Sequence, residues 1–168
     1  MVARDMKGRF PKGGVLVVLA AATAGAWLFS DGAARSQDAG SEAIDLVEGR
    51  ALYAEYCASC HGANLEGQPN WRSPGPDGRL PAPPHDATGH TWHHPDSMLH
   101  SYTKLGGKAF LARQGMEFDS GMPAFGDQLS DAQILNIIEF IKSTWPERQR
   151  TVQAERSEAD RQQGDKIN

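Results

Sequence analysis

The sequence predicts an all-α domain, three to five helices joined by long Pro- and Gly-rich loops, with no substantial sheet. Three observations lead there. Apolar residues recur at intervals of three and four in three separate segments, the mark of helices with one buried stripe. No segment shows the period-two alternation of a half-buried strand. The longest connection, Leu65 to Thr91, is so dense in Pro, Gly and Asn that neither a helix nor a central strand survives in it.

The 168 residues allow one domain with appendages. Residues 1–34 read as a targeting segment. Arg4, Lys7, Arg9 and Lys12 precede Val15 to Phe29, a tract without charge edged by Gly13 and Gly14. Its length falls between the apolar region of a secretory signal and a full membrane span. Gly32-Ala33-Ala34 offers the small-x-small pattern of a cleavage site. Alternatively, residues 13–29 stay as a single anchor, with Trp27 at the interface. A buried core helix is a third reading. The basic flank directs the following domain away from the cytoplasm, to the periplasmic side of a bacterial inner membrane. Residues 35–44 are small and polar and read as a linker.

The overall charge of −4 divides into +2 over residues 1–34 and −6 over the remainder. A domain that acidic is poorly suited to nucleic acid, so no such partner is expected.

The domain itself is expected over 45–146. A first helix starts near Asp45, with Glu48 as a capping partner and Leu46, Gly49, Leu52, Tyr53 and Tyr56 at helical spacing. A second fits His94–Leu105, with Pro95 in its first turn and Gly106-Gly107 as its stop. A loop is expected from Lys108 to Leu129. Ser130-Asp131-Ala132-Gln133 then forms a capping box, and Leu129 can staple onto Ile134. Ile134, Ile137, Ile138, Ile141 and Trp145 make the apolar face of the last helix, which stops at Pro146. The tail, 147–168, carries five acidic and five basic residues and reads as a solvated helix extension or disorder.

The first helix is expected to end at Cys57-Ala58-Ser59-Cys60-His61. C-x-x-C-H is the attachment signature of a c-type haem: two thiols add across the porphyrin's two vinyl groups, and the next residue brings an imidazole under the iron. Both cysteines of the chain are used there. Zinc is a competing reading, with His85, His90, His93, His94 or His100 as further ligands, and a redox disulfide is another. His61 directly abutting Cys60 is badly placed to share a tetrahedral ion. A bound haem also explains how so long a structureless loop could be organised. An electron-transfer haem needs a second strong axial ligand. Met122, in Ser120-Gly121-Met122-Pro123, has glycine to let the backbone approach and proline to stiffen the loop. Met116 is a rival in the same loop, whereas Met98 reads as core filling.

With these residues in place, the chain resembles the class I cytochrome c family over about residues 45–146. The likeness rests on the C-x-x-C-H after a first helix, Gly-Met-Pro some sixty residues on, and a last helix ending Glu139-Phe140-Ile141-Lys142-Ser143-Thr144-Trp145-Pro146. It implies helices wrapped around one haem c, bound through Cys57 and Cys60, with His61 and Met122 as axial ligands. It implies a close crossing of first and last helices at Gly49 and Phe140, with Tyr53 beside them. A proline carbonyl, of Pro83 or Pro84, is expected on the ring nitrogen of His61. The Gly89-His90-Thr91-Trp92-His93-His94-Pro95 stretch resembles that of a bacterial subgroup. There Trp92, helped by His90 or His93, is expected to hold the haem propionates. A secondary copper or zinc site at His90 with His93 or His94 is the alternative. The implied role is an electron carrier, not an enzyme, passing single electrons between redox protein partners. Two other roles stay open: a subunit of a membrane oxidoreductase or copper-handling complex, and a haem sensor or enzyme with an open sixth position.

Overall fold

Asp45 opens the first helix, its carboxylate accepting from the backbone N–H groups of Val47 and Glu48 at 2.9 and 3.0 Å. Two donors that no intrahelical carbonyl can reach are thereby satisfied. In the computed structural model, which describes residues 43–167, helix α1 (Leu46–Leu52) follows. At Tyr53–Cys57 it widens by one residue per turn, Ala58 N–H reaching back to Tyr53 O, and then resumes as α2 (Ala58–His61). Such widenings frequently occur at functional sites. No strand occurs among the described residues.

Glu48 does not cap its own helix. Its carboxylate accepts from Asn136 Nδ2 at 2.6 Å and Gln133 Nε2 at 3.4 Å, both on α5 (Asp131–Ser143). Asn136 Oδ1 in turn accepts from Asp45 N–H at 3.0 Å. The buried Asn136 therefore clamps the start of α1 to α5 and leaves neither end of its amide unpaired. The two helices cross at Gly49. A β-carbon there would strike the backbone carbonyl of Asn136 and lie 3.1 Å from Phe140 Cβ. The Tyr53 and Phe140 rings meet one turn further on, at 5.6 Å. The closest approach is thus to Asn136, one turn before Phe140.

Helix α5 has the expected capping box, Ser130 N–H donating to Gln133 Oε1 and Gln133 N–H to Ser130 Oγ. Ile134, Ile137, Ile138 and Ile141 are buried with Leu129, Phe125, Leu65, Tyr53 and Trp145 in one core. Trp145, beyond the helix end, is buried with its indole N–H donated to His85 O at 2.7 Å.

Helix α3 (Asp96–Leu105) begins later than expected, after Pro95 rather than around it. A short 3-10 turn, Thr91–His93, precedes it. Gly106, at φ +77°, ends α3 as expected. The expected loop from Lys108 is partly wrong, because α4 (Gly107–Arg113) restarts at once. Its residues are good helix formers, and Phe110 buries its ring against Tyr102 at 5.4 Å.

The tail forms helix α6 (Glu147–Ile167), and it is docked rather than wholly solvated. Its attachment is polar. Gln153 and Ser157 are buried; Gln153 Nε2 donates to Asp96 Oδ1 at 2.7 Å and His94 O at 3.3 Å, while Asp96 N–H donates to Ser157 Oγ at 3.0 Å. Lys142 Nζ adds bonds to Asp96 Oδ1 and Glu139 Oε1 at 2.9 and 2.6 Å.

Burial pushes the Asp96 carboxyl up, but bonds from Lys142 and Gln153 outweigh it and hold the group below its ordinary 3.8. Burial pulls Lys142 down, but Glu139 and Asp96 outweigh that and hold it above 10.5. A depressed carboxylate contributes stability above its unfolded value that is lost as pH falls through the folded one. A raised amine contributes below its unfolded value and loses it as pH rises through the folded one. The urea midpoint is therefore expected to drop at both extremes, and Asp96→Asn should flatten the acid side. Equal acid sensitivity in that variant would remove Asp96 from the account.

The expected targeting or anchoring segment, 1–34, and nearly all of the linker fall outside the described residues. No helix among the described residues is long and apolar enough to cross a membrane.

Candidate functional site

The C-x-x-C-H turn is fixed from both sides. Tyr53 OH, from the widened turn, donates to Gly62 O at 2.9 Å. Gly67 N–H donates to His61 O at 2.7 Å. Gly67, at φ +69°, lies so close under Pro83 and Pro84 that a β-carbon would collide with their backbone, and Gly89 presses equally on the Pro84 carbonyl. The proline pair is thus held between two glycines from different loops. Held there, Pro83 O meets His61 Nδ1 at 2.8 Å, so Pro83 and not Pro84 orients the ring.

His61 is buried, and burial lowers its pKa against the opposing Pro83 bond. The ring is therefore neutral at physiological pH. With Nδ1–H donated to Pro83, Nε2 keeps its lone pair for a metal. Cys57 is half-buried and its thiol is pushed up to about 11 by burial and then by Cys60, which is exposed. It is a protonated, weakly nucleophilic thiol near neutral pH.

Met122 lies on a second frame. Its carbonyl accepts from Gly107 N–H at 3.0 Å, and its own N–H donates to Ser120 Oγ at 3.3 Å, which Tyr102 OH also meets at 3.1 Å. Phe125 and Gly126 N–H donate to the Thr103 and Lys104 carbonyls at 3.1 and 3.0 Å. A β-carbon on Gly106 would collide with the Pro123–Ala124 backbone, and one on Gly107 with Ser120 and Tyr102. The pair that ends α3 therefore also admits the methionine loop.

Cys57, Cys60, His61 and Met122 line one cavity of about 1110 Å³, floored by the Ile137, Ile138 and Ile141 face of α5. Small-molecule sites run to about 300–1,000 Å³, so this one has room for a large group. Met98 lines it too, instead of filling the core; Met116 does not and is 48% exposed. The Arg79 guanidinium bonds Asp119 at 2.8 Å and ties the proline-rich loop to the loop leading into Met122.

His90 lines the cavity, with Trp71 against it at 5.4 Å. Trp92 does not line it: the indole stacks on His93 at 3.7 Å and packs against the core. Thr91, the first residue of the 3-10 turn, stands on the cavity wall in its place. Yet Trp92 Nε1 is buried without a hydrogen-bond partner. An unpaired buried donor costs about 1–3 kcal/mol, so an acceptor brought by a bound group would be favoured beside it. His90 and His94 approach at 5.4 Å, but among the described residues no group of three or more His, Cys, Asp or Glu could hold a metal ion. Neither the zinc reading nor the secondary copper site has a complete ligand set there.

His85, Trp71 and Arg79 are cavity residues that sequence reasoning missed. Only His85 had a usable signal, its position two residues after Pro83 in the loop expected to cover the bound group. The two thiols, the imidazole with a bare nitrogen, the thioether and the apolar floor together fit a covalently attached haem. A family model described as Cytochrome c matches residues 46–145. No curated protein and no solved structure gives a match.

Proposed function

The chain belongs to the cytochrome c family, whose members bind haem c and transfer electrons, and from that membership we propose a monohaem carrier with His61 and Met122 as axial ligands. When bound, the haem iron supplies a one-electron ferrous–ferric couple. Cys57 and Cys60 tether it, and Pro83 O holds the His61 ring in the tautomer that leaves Nε2 bare. The Gly106-Gly107 frame presents Met122 to the same cavity. The apolar floor excludes water, and a thioether ligand favours the ferrous state, so a positive potential is expected. Filling both axial positions leaves no site for a substrate, which makes the chain a carrier between redox proteins rather than a catalyst. We place it on the periplasmic side of a bacterial inner membrane, shed into the periplasm or anchored by residues 13–29, on the strength of the basic flank and apolar tract.

The observation that carries this reading is the joint lining of one cavity by Cys57, Cys60, His61 and Met122. Its test is the chain matured with haem-attachment machinery. One added haem by mass, a low-spin spectrum with a far-red sulfur-to-iron band, and a reversible one-electron titration are expected. An unmodified mass would end the proposal; a high-spin spectrum that binds carbon monoxide would favour a sensor or enzyme. Fractionation of the native host separates a periplasmic shuttle from a membrane-held subunit.

A further inference from the structure

His85 stands where the chemistry of the site would not require a polar ring. It lines the cavity, and its imidazole stacks on that of His61 with centroids 4.0 Å apart and planes 26° from parallel. It is itself held at three points. Its Nδ1 meets Thr91 Oγ1 at 2.9 Å, its carbonyl accepts the Trp145 indole N–H at 2.7 Å, and its N–H donates to Leu65 O at 2.8 Å. Thr91 is buried, and its hydroxyl also reaches Pro84 O at 3.5 Å, so one side chain ties the His85 ring to the proline pair.

We infer that His85 is a positioning residue for His61, its stacked ring fixing the plane of the imidazole that faces the iron. Pro83 O and His85 do different jobs. A single hydrogen bond at Nδ1 fixes the direction of the ring edge but leaves rotation about that direction soft. A flat partner on one face opposes that rotation, and Thr91 keeps the partner from turning with it. The plane of an axial imidazole decides which iron orbitals it mixes with, so the arrangement tunes the ferric electronic state without touching the iron.

The inference rests on the proposed His61 ligation, and the test separates the two. Haem-loaded wild type is compared with His85→Leu, His85→Phe and Thr91→Val by mass, absorption, ferric g-values and the paramagnetically shifted haem methyl resonances. His85→Leu should displace the g-values and the methyl spread while the protein stays low-spin. His85→Phe, which restores a flat ring, should return both toward wild type, and Thr91→Val should move them less and in the same sense as Leu. Loaded, low-spin His85→Leu and Thr91→Val proteins with wild-type g-values and methyl shifts would overturn the inference and leave the ligation standing. A wild type without low-spin haem would overturn both. If His85→Leu fails to load, Thr91→Val and His85→Phe decide the matter on the same readings.

Discussion

Met122→Ala in the haem-loaded protein is expected to erase the far-red band and to lower the potential by about 100 mV or more, at about 59 mV per tenfold change in a one-electron equilibrium. The size follows from what the side chain contributes and what it does not. The loop around it is held through the backbone: Gly107 N–H on Met122 O, Ser120 Oγ on Met122 N–H, and the Phe125 and Gly126 bonds to the end of α3. None of these needs the thioether. The side chain is half-buried, so its truncation should cost less than the 2–5 kcal/mol of a fully buried Met→Ala change, roughly the lower end of that range. Loss of the band with an unfolding transition that is lowered by no more than this amount and still cooperative would therefore report a lost ligand, not a lost fold. Met98→Ala supplies the contrast, because Met98 lines the same cavity on α3. If Met98→Ala removes the band and Met122→Ala keeps it, the sixth ligand is Met98 and the present assignment is wrong. Met116→Ala, on an exposed side chain outside the cavity, should change neither reading.

How far the sequence led differs from one element to the next, and the differences have physical causes. Helix α5 was legible because everything that makes it is local: a capping box four residues wide and isoleucines at helical spacing. Glu48 misled because the same local rule applied to it, whereas its partner Asn136 stands 88 positions away. The tail misled in a related way. Its composition has no apolar stripe, and composition cannot show that two buried polar residues, Gln153 and Ser157, dock it through hydrogen bonds. In α4 the double glycine was read as one stop, but it ends one helix and starts the next. At the site, the C-x-x-C-H spacing put Cys57, Cys60 and His61 forward together because they are contiguous, and all three line one cavity. The choice between Pro83 and Pro84 was not contiguous chemistry. It depends on two glycines, Gly67 and Gly89, that press on the pair from separate loops. His85 was named only as a spare zinc ligand, and its stacking on His61 was not legible for the same reason, since that partner lies 24 positions earlier in the chain.

Gly49→Val is expected to cost about 3 kcal/mol or more, by overpacking a contact that cannot move aside. The sign is the informative part. In an exposed helix, replacing Gly with Ala gains about 1 kcal/mol from propensity alone, and Gly164→Ala in α6, where a β-carbon meets open space, should show such a gain or no change. At Gly49 the first obstacle is the Asn136 carbonyl, a backbone atom inside α5, with Phe140 Cβ behind it at 3.1 Å. A side chain can rotate away; a helix backbone must translate. Even Gly49→Ala should therefore lower the urea midpoint despite its better propensity, and Val should lower it further. Translation of α1 from α5 also strains the Asp45–Asn136–Glu48 clamp, which spans the same crossing. It would carry Tyr53 with it, and with Tyr53 the bond that fixes Gly62 beside His61. Loss of stability at Gly49 should therefore be accompanied by weaker haem loading, although Gly49 does not line the cavity. An Ala variant as stable as wild type would show that the crossing is looser than drawn, and the route from helix contact to ligand geometry would fall with it.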